Sequence, residues 1–366
     1  MPAHTSFGSV LITGGCGFYG RHLIRRILDR EPACSIAVMD VDITRQPLFP
    51  CVSYHACDIS DGSRVRAVFS QLQPAPRVVF HLACPPSTVP NDARFRRVNV
   101  SGTRHVLECS RLVGVKALVY TSSSGVVHDG ASDLVEADES MPVLKPPRQK
   151  HIYTVSKAIA EEDVLAANRK DGMLTVSLRP CTTFGPDDPG FLERIVEVAK
   201  AGKARFRMGE GNAWDFVYVE NVVHACLLAA DRLLLASDGG APLPADRGRV
   251  EGEAFHITNG ERVAFWDFNL AVAAAAGRPV DAKDIVMVPR IVALVVCFLA
   301  EWGVWLFSLG RRRSLMLREG VVYAYITRTL NIDKAVRVLG YRPVVSLQDG
   351  IKESVAWYMR DGKKVE

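Results

Sequence analysis

The chain opens on a short unbroken apolar run, Val10-Leu11-Ile12, which ends at Thr13 and a glycine-rich turn, and an amphipathic stretch over 22–30 comes next. That change of period, from buried strand to one-sided helix, predicts a strand–turn–helix unit. The alternation then repeats. Residues 35–40, 52–56, 78–83, 118–121 and 175–179 are further short strand-like segments separated by polar or amphipathic stretches. The run at 78–83 is continuous rather than alternating, as strands buried on both faces of a parallel sheet tend to be. Helices are expected from Asn91 and from Tyr153 onward. The predicted architecture is therefore α/β, a doubly wound parallel sheet. Past residue 180 the pattern is less regular, with a strand over 214–219, a helix opening at 220–224 and a closing helix over 347–358. The expected organisation is a nucleotide-binding core over 1–180 and a smaller mixed α/β C-terminal substrate lobe over 181–366, in which 215–260 returns to complete the core.

One stretch, 285–309, fits neither part. From 291 to 300 every residue is apolar, and Trp302, Trp305, Leu306, Phe307 and Leu309 extend the run past Glu301. A spanning helix needs about 20 apolar residues with few or no charges. Here Glu301 interrupts the run and Pro289 stiffens its entry, while paired tryptophans and Arg290, Arg311, Arg312 and Arg313 flank it. Those flanks suit a segment lying on a membrane surface, its cations against anionic headgroups. A single span and a hydrophobic lid over the substrate are the two alternatives.

The glycine turn reads Gly14-Gly15-Cys16-Gly17-Phe18-Tyr19-Gly20. A turn this tight asks for backbone conformations that a Cβ opposes, which Gly15 can supply. Gly17 lets the main chain approach a pyrophosphate, and Gly20 lets the new helix pack closely. The helix start then turns its free N–H groups and positive dipole end toward the phosphates. Asp40, twenty residues beyond Gly20, ends the second strand, where an acid takes a ribose 2′-hydroxyl. Asp40 and the nearby Asp42 would repel a 2′-phosphate, so the expected cofactor is NAD rather than NADP. This is a Rossmann fingerprint, with Asp58 and Ile59 after the third strand placed for the adenine. Ala83 would line the cofactor from the extended loop that Pro85 and Pro86 enforce. Pro180 would leave the sixth strand beside the nicotinamide, and Asn99 would anchor a polar network beneath. His81 is expected to pack rather than catalyse.

Composition narrows the setting. The chain is 48% hydrophobic and 23% charged, an ordinary globular balance, so disorder is not the default. A net charge of +5 spread along the sequence does not point to nucleic acid. The nine cysteines form no C-x-x-C pair and no metal-ligand spacing, which predicts reduced thiols and no metal site. Residues 1–9 show no basic region leading into an apolar core, so the active domain is expected in the cytosol.

The reactive residues come next. Ser122-Ser123-Ser124 follow the fifth strand, at the sheet edge where open α/β sheets bind ligands. Tyr153 and Lys157 stand four apart on one helix and so share a face. A tyrosine titrates near pH ~10 and is a poor base at neutrality. A neighbouring ammonium, helped by an oxidised nicotinamide, would favour the phenolate. Tyr153 is thus the expected acid/base of an alcohol oxidation and Lys157 its activator, both also contacting the cofactor.

At these residues the chain resembles the extended short-chain dehydrogenase/reductase superfamily, and within it the 3β-hydroxysteroid dehydrogenase group, most of all its decarboxylating sterol-4α-carboxylate members. The resemblance rests on the glycine turn, Tyr153 to Lys157, Leu178-Arg179-Pro180 and Phe184-Gly185-Pro186. More specific are His81-Leu82-Ala83-Cys84-Pro85-Pro86, where Cys84 replaces a serine, and Leu339-Gly340-Tyr341-Arg342-Pro343 near the end. It implies Ser123 as the residue that aligns the substrate hydroxyl, with Ser124 as the fallback. It also implies a 3β-hydroxyl on a 4-carboxylated sterol or triterpenoid, oxidised by NAD with loss of carbon dioxide. The setting it suggests is the cytosolic face of the endoplasmic reticulum membrane, with a homodimer left open. His128, where an aromatic is commoner, and an enlarged polar loop over 237–253 depart from the group's pattern. Three rivals stand beside this: a dehydrogenase/isomerase that does not decarboxylate, a nucleotide-sugar epimerase, and a non-catalytic NAD-sensing membrane adaptor.

Overall fold

The structure is a computed structural model that describes residues 5–44, 48–86, 91–208, 211–240, 248–308 and 318–360. The first half alternates as the apolar pattern requires. Strand β1 (Ser9–Thr13) leads to helix α1 (Phe18–Arg30), β2 (Ser35–Asp40), β3 (Val52–Ala56), α2 (Gly62–Gln71) and β4 (Val78–His81). After β4 come α3 (Asp92–Phe95), a widened π turn (Arg96–Gly102), α4 (Thr103–Leu112), β5 (Ala117–Thr121), β6 (Leu134–Ala137) and α5 (Ile152–Ala166). The chain continues through β7 (Leu174–Pro180), β8 (Thr182–Phe184), α6 (Phe191–Lys200), β9 (Phe206–Met208), β10 (Ala213–Tyr218) and α7 (Val219–Ser237). The last part carries β11 (Ala254–Ile257), β12 (Arg262–Ala264), α8 (Phe265–Ala275), β13 (Val286–Val288), α9 (Arg290–Phe307), α10 (Arg318–Tyr325), β14 (Arg328–Leu330) and α11 (Leu347–Arg360).

Seven strands form one sheet in the order β11-β7-β5-β4-β1-β2-β3, and every neighbouring pair is parallel. One apolar layer packs α1 and α7 against one face of the sheet, with Leu23, Ile27, Val223 and Leu233 buried. The other face takes Val65, Phe69, Val106 and Val164 from α2, α4 and α5. This is the doubly wound fold, and it sets the carboxyl ends of all seven strands along one edge.

The two-part division of the chain holds less cleanly than the pattern suggests. Residues 215–260 split between sheets: β11 adds the outer strand to the main sheet, whereas β10 belongs to a smaller sheet of order β12-β10-β14-β6 with β8 beside β10. In return β6, from the first half, joins that smaller sheet by pairing with β14. Each half thus lends the other a strand. The helix expected from His22 already begins at Phe18, because Gly17 is its N-cap. Leu309 and the arginines at 311–313 lie outside the described residues, as does 241–247 of the polar loop.

Candidate active site

The two loops that frame the strand edge meet backbone to backbone. Gly14, just past β1, has φ +73°, and a Cβ there would stand 2.7 Å from the Ala83 Cα. The residue that takes the left-handed turn is therefore Gly14, not Gly15. Gly15 is small for a different reason, since its Cβ would stand 2.6 Å from a methyl of Val38. Gly20 packs so tightly on Gly15 that a Cβ would overlap the Gly15 Cα. Gly17 differs, because the nearest atom to its Cβ would be the Gly14 carbonyl at 3.1 Å, leaving the outer face of the turn open.

Among the described residues no side chain caps the first turn of α1, and that turn carries no acid. Its N–H groups and dipole end fit a pyrophosphate. Phe18 and Tyr19 can serve through those backbone groups, and their rings stack on each other at 5.3 Å. The Tyr19 hydroxyl donates to Thr183 Oγ1 at 2.7 Å, tying α1 to β8.

Asp40 ends β2 with its carboxylate held by the Cys16 amide at 3.0 Å and the Asp42 amide at 3.2 Å. The Cys57 amide donates to the Asp40 carbonyl, which brings the turn after β3 alongside. There Asp58 accepts from the Ser60 amide at 2.9 Å. Ile59 is buried against Gly102 of the π turn. Pro180 closes β7 in register with Ile257. Gly14, Asp40, Ala83 and Pro180 thus stand at the carboxyl ends of neighbouring strands of the main sheet.

The reactive group stands on α5. Tyr153 and Lys157 share one face, and Glu161 continues the stripe one turn further. Lys157 is buried; its Nζ donates to the Thr121 carbonyl at 2.7 Å and lies 4.8 Å from the centre of the Tyr120 ring. Burial pulls the Lys157 ammonium below the ordinary lysine value, opposed by the adjacent Cys84 and by Glu161. Burial likewise holds the Tyr153 phenol well above the tyrosine range, with Cys84 and Tyr19 adding to it, and a hydrogen bond with Ser123 draws it back. The Lys157 ammonium itself is held by the Thr121 backbone carbonyl. Ser123 Oγ also accepts from the Gly125 amide at 3.1 Å, which fixes its lone pairs. Ser124, the fallback, is buried.

Beneath α5 runs a polar network of which the sequence suggested only Asn99. Asn99 Nδ2 donates to Ser156 Oγ at 2.9 Å, and Ser156 Oγ donates to the Tyr153 carbonyl at 2.7 Å. Further along, Arg179 of β7 grips Glu161 through Nη2 at 2.6 Å and Nε at 3.1 Å, and Ser177 Oγ adds a bond at 2.8 Å. This buried pair clamps the helix to the sheet. The signal for it was in the sequence, an acid four residues past Lys157 and therefore on the same helix face. His128 is buried, its Nε2 donating to the Ser132 carbonyl at 2.8 Å and its Nδ1 accepting from Gly130 N at 3.2 Å, so it holds its own loop.

Nearly the whole chain aligns with solved nucleotide-sugar enzymes. Against the UDP-glucose 4-epimerase of Thermus thermophilus in complex with NAD, the TM-score is 0.68 at 24% identity, covering 96% of this chain and 99% of that one. The Thermotoga maritima UDP-glucose 4-epimerase with UDP-glucose gives 0.70 at 22% identity over 96% and 99%. At such identity the likeness is one of fold alone. The sequence goes further and gives the family. The model of the 3-beta hydroxysteroid dehydrogenase/isomerase family matches residues 11–287, and the chain belongs to that family. It is 35% identical over 353 residues to the decarboxylating sterol-4-alpha-carboxylate 3-dehydrogenase of Schizosaccharomyces pombe, covering 95% of this chain and 97% of that protein. The enzyme of that name from Saccharomyces cerevisiae is 36% identical over 95% and 97%, and that from Mus musculus 32% over 94% and 89%.

Proposed function

We propose that this protein oxidises the 3β-hydroxyl of a 4-carboxylated sterol or triterpenoid with NAD and releases the carboxyl group as carbon dioxide. The observation that carries the reading is Tyr153 and a buried Lys157 on one face of α5, with Lys157 held at the end of β5 just before Ser123. Relatives named for this reaction match nearly the whole chain. Bound NAD supplies the hydride acceptor and the positive charge of the oxidised nicotinamide. Ser123 aligns the substrate oxygen, and Tyr153 takes its proton as the carbon–hydrogen bond breaks. Lys157 keeps a positive charge within the same buried face. The product is a β-keto acid. Its carbon–carbon bond to the carboxylate breaks, carbon dioxide leaves, the electron pair stays behind as an enolate, and carbon 4 of the enolate takes a proton to give the 3-ketone. That step asks for no further catalytic group.

Tyr153→Phe should lower kcat about 10²- to 10⁴-fold while NAD still binds. Retained turnover defeats the assignment. Mass analysis of products from substrates with and without the 4-carboxylate separates the decarboxylating reading from a plain dehydrogenase/isomerase.

We also infer attachment to a membrane surface through α9, on the cytosolic side of the endoplasmic reticulum. The helix spans 18 residues at mean hydropathy 1.9, yet only 11% of it is buried. Its inward stripe is Ala293 and Cys297, packed on Val321, with Val288 and Tyr325 alongside. Glu301 falls one turn past Cys297 on that same stripe, so its charge does not interrupt the outer face. Outward stand Ile291, Leu299, Trp302 and Phe307, with Phe206, Val286 and Met287 exposed on β9 and β13. A helix with one face held by protein and the rest apolar suits the headgroup boundary better than a span.

A further inference from the structure

His81, at the end of β4, is wholly buried between two threonines. Its Nδ1 lies 2.7 Å from Thr13 Oγ1 and its Nε2 lies 2.9 Å from Thr103 Oγ1. The direction of each bond can be worked out. Thr103 has a single hydroxyl proton, and it goes to the Asn99 carbonyl at 2.5 Å. Toward His81, Thr103 can only accept, so the imidazole carries its proton on Nε2. Nδ1 is then an acceptor, and Thr13 donates to it while accepting from the Ala83 amide at 3.3 Å. The network continues from Asn99 through Ser156 to the Tyr153 carbonyl. Its near end is Ala83, the residue in backbone contact with Gly14 of the cofactor turn.

We propose that His81 is a positioning residue for the reaction: neutral and protonated on Nε2, it fixes the π turn bearing Asn99 against the end of β1. In doing so it sets where Tyr153 stands relative to the cofactor turn. The turn is the adjustable part, since a π turn sits among helical residues without the usual i→i−4 ladder. Charge agrees with this. His81 lies in the field of Lys157, its ring 5.4 Å from Tyr120, over which the ammonium sits. A second cation there would oppose the first, and both burial and Lys157 keep the imidazole neutral, down to about 3. The inference rests on the reading of Tyr153 as the catalytic phenol.

Thr103→Val keeps the shape of the side chain and removes the hydroxyl between His81 and Asn99. It should lower kcat about 10- to 100-fold, the scale of an ångström's misplacement at the reacting groups, while NAD affinity by fluorescence titration changes less than about threefold. Thr103→Ser restores the hydroxyl and should recover kcat. In nitrogen-15 spectra of the full chain, His81 should show a protonated Nε2 and a bare Nδ1 from about pH 5 to about pH 8. Wild-type kcat in Thr103→Val, a parallel loss of NAD affinity with kcat intact, or a proton on Nδ1 each overturns the proposal. Turnover surviving in Tyr153→Phe would instead strike the assigned function, and the spectra would still report the tautomer.

Discussion

Asp40 accepts two amides on one carboxylate, those of Cys16 and Asp42. It holds the glycine turn through the Cys16 amide and stands at the end of β2, where a ribose diol would be read. Hydrogen bonds to a charged acceptor are worth about 1.5–3 kcal/mol. Asp40→Ala should therefore weaken NAD binding about 10- to 100-fold, part of it through a loosened turn, and lift the penalty on a 2′-phosphate. Titrating NAD and NADP against both proteins checks this; an unchanged preference between the two removes Asp40 from the ribose site. Residues of this kind were legible because their chemistry is local: an acid at a strand end, a glycine at a turn, a tyrosine one helical turn from a lysine. The division of labour among the glycines was not. Gly14 and Gly15 are interchangeable on paper, and only the approach of Ala83 to one and Val38 to the other tells them apart. The state of the Tyr153 phenol was hidden for a similar reason. Burial and the Thr121 carbonyl, neither visible in a spacing of four, decide what Lys157 does.

Among the elements, α5 and α9 pose opposite problems. Helix α5 is polar on its inner face, where its charged groups are held against the sheet: Lys157 on Thr121, Glu161 on Arg179. Helix α9 is apolar on its outer face, and among the described residues little protein covers it. Its hydrophobic run was plain in the sequence, but the place of Glu301 was not, since only the packing of Cys297 on Val321 fixes which stripe faces inward. Leu299 is 62% exposed and Phe307 90%. Each apolar chain of this size contributes about 1.5–3 kcal/mol when moved out of water. The wild-type protein should float with vesicles of phosphatidylcholine and phosphatidylserine. A Leu299→Glu, Phe307→Glu double variant should stay in the aqueous fraction with its melting temperature unchanged, because both side chains are already in solvent. Flotation undiminished in the variant counts against α9 as the attachment, and resistance to alkaline extraction in the wild type would point to a span.

At the level of the whole molecule, the parallel core was legible and the lobe was not. Core strands announce themselves by continuous apolar runs, whereas β8, β9, β12, β13 and β14 are three residues each, too short to show a period. Their partners are also remote, as when β6 waits for β14 far along the chain. Interleaving of this kind buries titratable groups in both parts, with opposed consequences for acid stability. His81 and His256 are held neutral, each lowered from 6.5 to about 3, chiefly by burial. The unfolded chain protonates them first, so they cost stability as pH falls below 6.5. Asp188 and Asp215 are raised from 3.8 to about 6, again chiefly by burial. The folded state protonates these first, so they return stability as pH falls through about 6 and stop doing so near 3.8. Between about pH 6 and about pH 4 the two pairs oppose each other, and the melting temperature should vary little. Asp215→Asn keeps an oxygen for the Leu330 amide, which donates to Asp215 Oδ2 at 2.6 Å, but no longer titrates. In that variant the histidines are left less opposed, and the melting temperature should fall more steeply than in wild type across the same window. Thermal scans at about pH 7.5, 6 and 4.5 compare the two slopes. Equal slopes would mean that Asp215 carries its charge in the folded protein throughout and does not offset the histidines of the core.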